Sequence, residues 1–218
     1  VNEKIKSPTL YKPHPVIVAP MVDTPNWFRT WAESNFRAIC MDETYIKRLD
    51  ELHFLQLGAF AGHASEWIGK YLLTNPASTL TDVDTWAGSD EPEHEKINFA
   101  RIETEYDVRV AEFGDKVRKY KMTTAEWFRL SPPTKQPFDF IYIDADHTAI
   151  GVLEDAVASH RLLKVGGLLV FDDYTWIHPT NRTPYVEPKF AIDAFMKVYG
   201  NKYEIVVINA QAWLRRIA

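Results

Sequence analysis

Two short apolar runs in this chain each end abruptly in acids, and the stretch between them is as long as one crossover helix. The first reads Phe138-Asp139-Phe140-Ile141-Tyr142-Ile143-Asp144-Ala145-Asp146-His147 and the second Gly166-Gly167-Leu168-Leu169-Val170-Phe171-Asp172-Asp173-Tyr174, with an amphipathic segment over residues 148–163 joining them. Runs of this length and composition read as β-strands, and a helical connection makes them parallel neighbours. Four carboxylates then arrive at one rim of a sheet. That rim, outside the carboxyl ends of parallel strands, is where open α/β folds bind ligands.

The alternation extends through most of the chain. Strands are expected over residues 53–57, 79–83, 116–120, 138–143, 168–171, 203–208 and 212–217, and helices over 65–73, 93–106, 124–130, 149–163 and 188–199. Pro188 in the first turn and Gly200 just past the end of the last helix fit the usual asymmetry of helix termini. The final two strands, joined by Asn209-Ala210-Gln211, read as an antiparallel hairpin. The expected fold is α/β: a Rossmann-like, seven-stranded, mostly parallel sheet with a C-terminal antiparallel hairpin and helices on both faces. Ahead of it, residues 1–25 hold five of the thirteen prolines and read as an extended arm, while residues 26–37 and 42–52 have helical character. Residues 1–52 are expected to be an arm with lid or dimer helices, and 53–218 a ligand-binding domain.

The first strand runs into Leu57-Gly58-Ala59-Phe60-Ala61-Gly62-His63-Ala64-Ser65, where glycines let the chain turn tightly and a ligand approach the backbone. This is not the three-glycine dinucleotide fingerprint, because Phe60 stands two residues after Gly58 and would crowd a pyrophosphate. A nucleoside bearing an amino acid is not excluded by that bulk. The second strand ends Thr81-Asp82-Val83-Asp84-Thr85-Trp86, and an acid there can accept hydrogen bonds from ribose hydroxyls. A solvated loop acid or a helix cap is the plainer reading of Asp84.

With these four motifs in order, the chain resembles class I S-adenosylmethionine-dependent methyltransferases. More narrowly it is similar to the small bacterial branch related to macrolide and sugar O-methyltransferases, whose signatures read roughly Leu-Glu-Ile-Gly-x-x-x-Gly, Val-Asp-Thr-Trp-x-Gly, Ile-Asp-Gly-x-His and Phe-Asp-Asp-Tyr. The match runs from about Phe54 to Tyr174. The resemblance implies that Gly58, Ala59, Phe60 and Gly62, with Ser65, wrap the methionine part of S-adenosylmethionine, that Asp84 holds the ribose, and that Trp86 meets the ribose or adenine edge. Met122 and Thr123 would border adenine, and Asp144 would lie beneath the sulfonium. Where the family usually carries an acid, this chain has Gln56, which can hydrogen-bond the amino-acid end of the cofactor without adding charge.

The same resemblance implies Mg²⁺, or another divalent cation, on Asp144, Asp172 and Asp173, with Asp146 as general base. Crowded carboxylates repel and raise one another's pKa values, and a hard cation with oxygen ligands relieves this. His147 is the second candidate base, since an unperturbed imidazole titrates near roughly 6.5. Plainer roles stand beside these: Asp172 as a turn cap, Asp173 paired with Arg182 or Lys189, His147 as a capping group. His160, on the inward register of its helix, reads as structural, and His178 as a residue lining the substrate cleft.

The expected reaction is metal-assisted O-methylation of a small hydroxylated molecule, a sugar or a natural product. Metal-independent N- or O-methylation and a non-catalytic cofactor-binding scaffold are the competing readings. A nicotinamide-dependent oxidoreductase would want the missing fingerprint and a Ser/Tyr/Lys constellation. A formal net charge of −5 without a Lys/Arg block argues against a nucleic-acid partner. The lone Cys40, with no leader and no long apolar span in view, makes a cytoplasmic protein without membrane contact the expectation. Acceptor specificity would come from the N-terminal helices and the loop over residues 174–188, and the sequence leaves a homo-oligomer through the N-terminal region open.

Overall fold

The computed structural model describes residues 24–89, 94–95, 97–130, 138–181 and 183–218. Residues 1–23 of the proline-rich arm, Glu93 and Arg182 therefore lie outside the described residues. Seven strands form one sheet: β1 (His53–Leu57), β2 (Thr79–Asp84), β3 (Val117–Lys121), β4 (Phe138–Ile143), β5 (Leu163–Phe171), β6 (Tyr203–Ile208) and β7 (Ala212–Arg216). Their order is β3-β2-β1-β4-β5-β7-β6, with the first five parallel and β7 antiparallel to both its neighbours. The sequence order reverses between β1 and β4, which opens the crevice where such sheets take ligands.

The period-2 alternation of the central strands sends residues to two separate cores. Phe54, Phe140, Tyr142, Leu168 and Val170 pack on one face with Phe36 of α1 (Glu33–Cys40) and Trp67 of α2 (His63–Tyr71). Leu55, Ile141, Leu169 and Phe171 pack on the other with Val152 and Ala156 of α5 (Ala149–Leu162) and Phe195 of α6 (Pro188–Tyr199). A third cluster, Ala59, Ala61, Trp86, Ile102 and Tyr106, joins the glycine loop to α3 (Phe99–Val110). The short α4 (Thr124–Leu130) follows β3.

Several boundaries differ from expectation. Residues 42–52 form turns and no helix. Asp42 Oδ1 accepts the Thr44 amide at 2.8 Å, and the carbonyls that a helix would use go elsewhere: Arg48 O takes the Thr74 hydroxyl and Leu49 O takes Asn75 Nδ2 at 2.9 Å. Docking Ile46 and Leu52 into the core outweighs the weak helical pattern. The first helix instead runs on to Cys40, after a π-helical turn over Phe28–Ala32, and Asn26 Oδ1 caps it by accepting the Arg29 amide at 2.9 Å. α3 begins at Phe99, where Asn98 accepts the Arg101 amide, six residues later than expected. β5 starts five residues earlier than expected, its pairing with β4 interrupted by a register shift between Phe138 and Phe140.

Candidate active site

The glycine loop lies against the end of β4. Gly58 has φ +85°, and a Cβ there would stand 1.7 Å from the Asp144 carbonyl oxygen, so only glycine lets the two strand ends meet. Asp84 pins the loop: its Oδ2 accepts the amides of Ala59 and Phe60 at 2.8 and 2.9 Å, and its Oδ1 accepts the Trp86 amide at 2.7 Å. Trp86 closes the clasp by donating Nε1–H to the Phe60 carbonyl at 2.8 Å. Both Phe60 and Trp86 are held at positive φ, 45° and 47°. Strain at two non-glycine residues persists only because this hydrogen-bonded frame over-determines it.

Behind the loop lies a buried polar layer. Gln56 donates Nε2–H to the Gly58 carbonyl at 2.8 Å and accepts the Ser65 hydroxyl at 3.3 Å. Ser65 in turn stands beside Asp82, which accepts the Tyr106 hydroxyl at 2.7 Å. Burial pushes the Asp82 carboxyl up to about 7, with the Tyr106 and Ser65 hydrogen bonds opposing and the Asp84 charge adding to the rise.

In front of the loop is a cavity of about 530 Å³. Of the expected cofactor residues, Gly58, Phe60, Asp84, Trp86, Met122, Thr123 and Asp144 line it. Gln56, Ala59, Gly62 and Ser65 are not among its walls. Three aromatic side chains that the sequence reading missed complete the enclosure: Trp27, whose ring centroid is 5.0 Å from that of Phe60, His94 and Phe99. No periodic signal marks them: Trp27 comes from the start of the first helix, while His94 and Phe99 come from the segment leading into α3.

The acids arrive from β4 and β5. His147 Nε2 lies 3.0 Å from Asp173 Oδ2 and 3.7 Å from Asp144 Oδ1, and these three side chains offer donor atoms all within 4.8 Å of one another. Asp172 is outside that group, because its carboxylate is turned to the Tyr142 hydroxyl and to Gln211. The expected Asp144, Asp172, Asp173 triad is thus assembled only in part, with His147 standing where the third carboxylate was expected. Asp173 faces His147, while Lys189 pairs with Asp193 and Tyr174. Burial raises Asp144 to about 6, with the His147 hydrogen bond opposing and the Asp173 charge adding. Burial and then the charges of Asp144 and Asp173 raise Asp172 well above the ordinary carboxylate range. Two carboxylates and an imidazole converging in this way suit a divalent cation, the oxygens hard and the nitrogen borderline.

Asp146 is exposed at the start of α5, where Oδ1 accepts the Thr148 amide at 2.8 Å. Gly151 leaves it room, since a Cβ there would come within 2.3 Å of Asp146 Oδ2. Asp146 and His147 line the first cavity and also a second, of about 570 Å³, walled further by Trp176 and His178. The His147 ring lies 5.1 Å from Trp176, and His178 Nδ1 accepts the Asn181 amide at 2.9 Å, which orders the loop after β5. His160 is remote from both cavities, bound to the Tyr203 hydroxyl at 2.8 Å and packed on Tyr199, a structural role as expected.

A reversing parallel sheet with a glycine loop, a clasping acid on the second strand and an acidic pocket on the fourth defines a Rossmann-like fold. The chain belongs to the methyltransferase-domain family, whose model matches residues 55–174. Among solved structures it is similar to an O-methyltransferase from Bacillus cereus in complex with SAH, at 15% identity and TM-score 0.59, covering 85% of this chain and 82% of that one. It is also similar to the O-methyltransferase TomG from Streptomyces achromogenes, involved in tomaymycin synthesis and solved with SAM, at 15% identity and TM-score 0.59 over 91% and 93% of the two chains. The O-methyltransferase NovP aligns at 17% identity and TM-score 0.58 over 85% and 79%. At such identities the likeness is one of fold. No curated protein matches the chain.

Proposed function

We propose that this methyltransferase moves the methyl group of S-adenosylmethionine to a hydroxyl of a small molecule, a sugar or natural product, with a divalent cation assisting. The observation that carries the reading is the wall formed by Asp146 and His147, shared by the cavity in front of the glycine loop and a second cavity on the far side of that wall. A donor in the first and an acceptor in the second would meet at that wall. The O-methyltransferase identity of the structural neighbours supports oxygen as the acceptor atom.

In this reading Gly58 and Phe60 would hold the methionine part, Asp84 would accept from the ribose hydroxyls, Val83, Met122 and Thr123 would border adenine, and Asp144 would face the sulfonium. When bound, the cofactor would supply a methyl group on a sulfonium, with neutral S-adenosylhomocysteine as the leaving group. Asp146 takes the hydroxyl proton at Oδ2, its Oδ1 being engaged by the Thr148 amide. Alignment of the two reactants supplies the larger share of the rate, since the sulfonium is already a good leaving group.

Asp144 and Asp173 would hold the cation, with His147 Nε2 in reach and Asp172 joining if it leaves Tyr142. A cation there lowers the pKa of a bound hydroxyl and fixes its position. The inward turn of Asp172 favours a second reading, methyl transfer to nitrogen or an acidic oxygen without metal. Residues 1–52 would serve as arm, lid or subunit contact ahead of the catalytic domain over 53–218, with Trp27 as the part that reaches the cofactor. No helix among the described residues is long and apolar enough to cross a membrane. With a net charge of −5, a small-molecule acceptor in the cytoplasm fits better than nucleic acid.

Calorimetry tests the reading directly. S-adenosylhomocysteine should bind with micromolar affinity, NADH should not bind, and Asp84→Ala should weaken the binding at least a hundredfold. Absence of S-adenosylhomocysteine binding to the wild-type chain would sink the proposal.

A further inference from the structure

His178 orders its own loop through one ring nitrogen, and the other nitrogen has no part in the chemistry above. Nδ1 accepts the amides of Thr180 and Asn181 at 3.2 and 2.9 Å. A nitrogen that accepts a hydrogen bond carries no proton, so in the neutral ring the proton is on Nε2, which becomes a donor. Nε2 has no hydrogen-bond partner among the described residues, and it is not buried. With Nδ1 turned back on the loop, the edge of the ring that bears Nε2 is the one left for the second cavity, which His178 lines.

The loop holds that donor in place. The Trp176 amide donates to the Asp173 carbonyl at 3.0 Å, the Tyr174 amide to the Ala210 carbonyl at 2.9 Å, and Asn181 Oδ1 accepts the Thr183 amide at 3.1 Å. The Trp176 ring links two imidazoles, its centroid 5.1 Å from that of His147 and 5.6 Å from that of His178. His147 belongs to the wall where the reactants would meet, so an acceptor whose reacting hydroxyl is there reaches His178 with the far side of one ring. The charged side chains among the described walls of this cavity, Glu95 and Asp146, are both acids, and none is Lys or Arg. An anion brought among them is repelled and finds no cation to replace its water.

We propose that His178 determines acceptor specificity: its Nε2–H donates to an oxygen across the ring from the methylated hydroxyl, in an uncharged acceptor lying against Trp176. The assignment rests on the two-cavity reading given above and narrows the acceptor to a ring without phosphate or carboxylate at this cavity. A single placed donor fixes which way round such a ring enters, and so which hydroxyl reaches the wall. A sugar ring and a hydroxylated aromatic ring both carry this chemistry, and the experiment tells them apart.

Two variants separate a contact to the acceptor from a role in the loop alone. His178→Asn sets a carbonyl oxygen where Nδ1 stands, so the loop amides keep an acceptor while the Nε2 donor is lost; His178→Gln reaches the Nε2 position with an N–H and gives up the loop acceptor. Saturation-transfer NMR on the chain loaded with S-adenosylhomocysteine measures binding of two uncharged probes, methyl α-D-glucopyranoside and 4-methoxyphenol. Their anionic counterparts are α-D-glucose 1-phosphate and 4-hydroxyphenyl phosphate. One uncharged probe should bind about fivefold or more tightly than its counterpart, and its identity says which kind of ring the cavity takes. For that probe His178→Asn should weaken binding about threefold to tenfold, the loss of one hydrogen bond, and His178→Gln should stay within about twofold of wild type. The reverse order, or two variants affected alike, overturns the assignment, as does equal or tighter binding of the anions or no saturation transfer to either uncharged probe. Thermal melts report folding of each variant separately, and the wild-type comparison of charged with uncharged probes stands even if a variant fails to fold. Calorimetry with S-adenosylhomocysteine keeps the two readings apart: where it binds, a negative result overturns the His178 assignment alone, and where it does not, the cofactor reading falls as well.

Discussion

Asp146 and His147 are neighbours in sequence, but their surroundings divide their roles. Asp146 is exposed, and its Oδ1 is held by the Thr148 amide; His147 is drawn inward against Asp173 and Trp176. Asp146→Asn should therefore lower kcat by about 10²- to 10⁴-fold, the range for a lost general base, and leave S-adenosylhomocysteine affinity within twofold of wild type. A rate that is unchanged would move the proton transfer to His147. For the cation, titration with Mn²⁺ or Mg²⁺ should show Asp173→Asn weakening binding more than tenfold, and Asp172→Asn weakening it less than threefold. Equal losses would mean that Asp172 turns away from Tyr142 to complete a three-carboxylate site. The acids themselves were legible in sequence as strand tips; which of them face one another was not, because Asp172 and Asp173 are adjacent in the chain but take different partners, Asp173 at a positive φ of 57°.

The element whose role was least visible in sequence is the first helix. Its apolar residues announced a helix, but not that Phe36 would sit fully buried among Trp67, Phe140, Tyr142 and Trp213, with ring centroids 5.0–5.6 Å away. The helix thus belongs to the core of one sheet face, and its leading turn carries Trp27 to the cavity. Phe36→Ala should cost about 3–5 kcal/mol of unfolding free energy, measured by urea titration, because the rigid aromatic neighbours cannot collapse into the space. A loss below about 1 kcal/mol would mean that the helix is only loosely docked. The expected helix over residues 42–52 failed for the complementary reason. Its backbone groups found partners in the turn over residues 74–78, and a local pattern cannot announce a competitor nearly thirty residues away.

At the scale of the whole molecule, two buried carboxyls tie stability to pH. Asp82 beneath the glycine loop and Asp155 beside the cavity are both raised from 3.8 to about 7, chiefly by burial. Their folded pKa values lie above the unfolded ones, so the stability they contribute is full below about pH 4 and is lost as pH rises through about 7. Each can cost at most about 1.4 kcal/mol per pH unit across that window. His63, pushed down to about 4 mainly by burial, works in the opposite sense below its unfolded value of 6.5. Asp82→Asn, a neutral isostere that still accepts from Tyr106, isolates the carboxyl: its melting temperature should fall less than that of wild type between pH 5.5 and 8. Parallel pH profiles for the two proteins would show that Asp82 is ionised in the folded state.

By itself the sequence determined the parallel sheet, its closing hairpin, the glycine turn and the acids at the strand ends, because each is written in residues close together in the chain: alternating apolar runs, a glycine where φ must be positive, a carboxylate one step past a strand. Tertiary structure alone decided that Asp84 clasps the loop, that Gln56 and Ser65 lie behind it, that Trp27, His94 and Phe99 enclose the cavity, and that Asp155 is buried with an unmet acceptor. Those relations join segments up to about 130 residues apart, and the direction of a side chain across such a distance is set by packing, which no local pattern encodes.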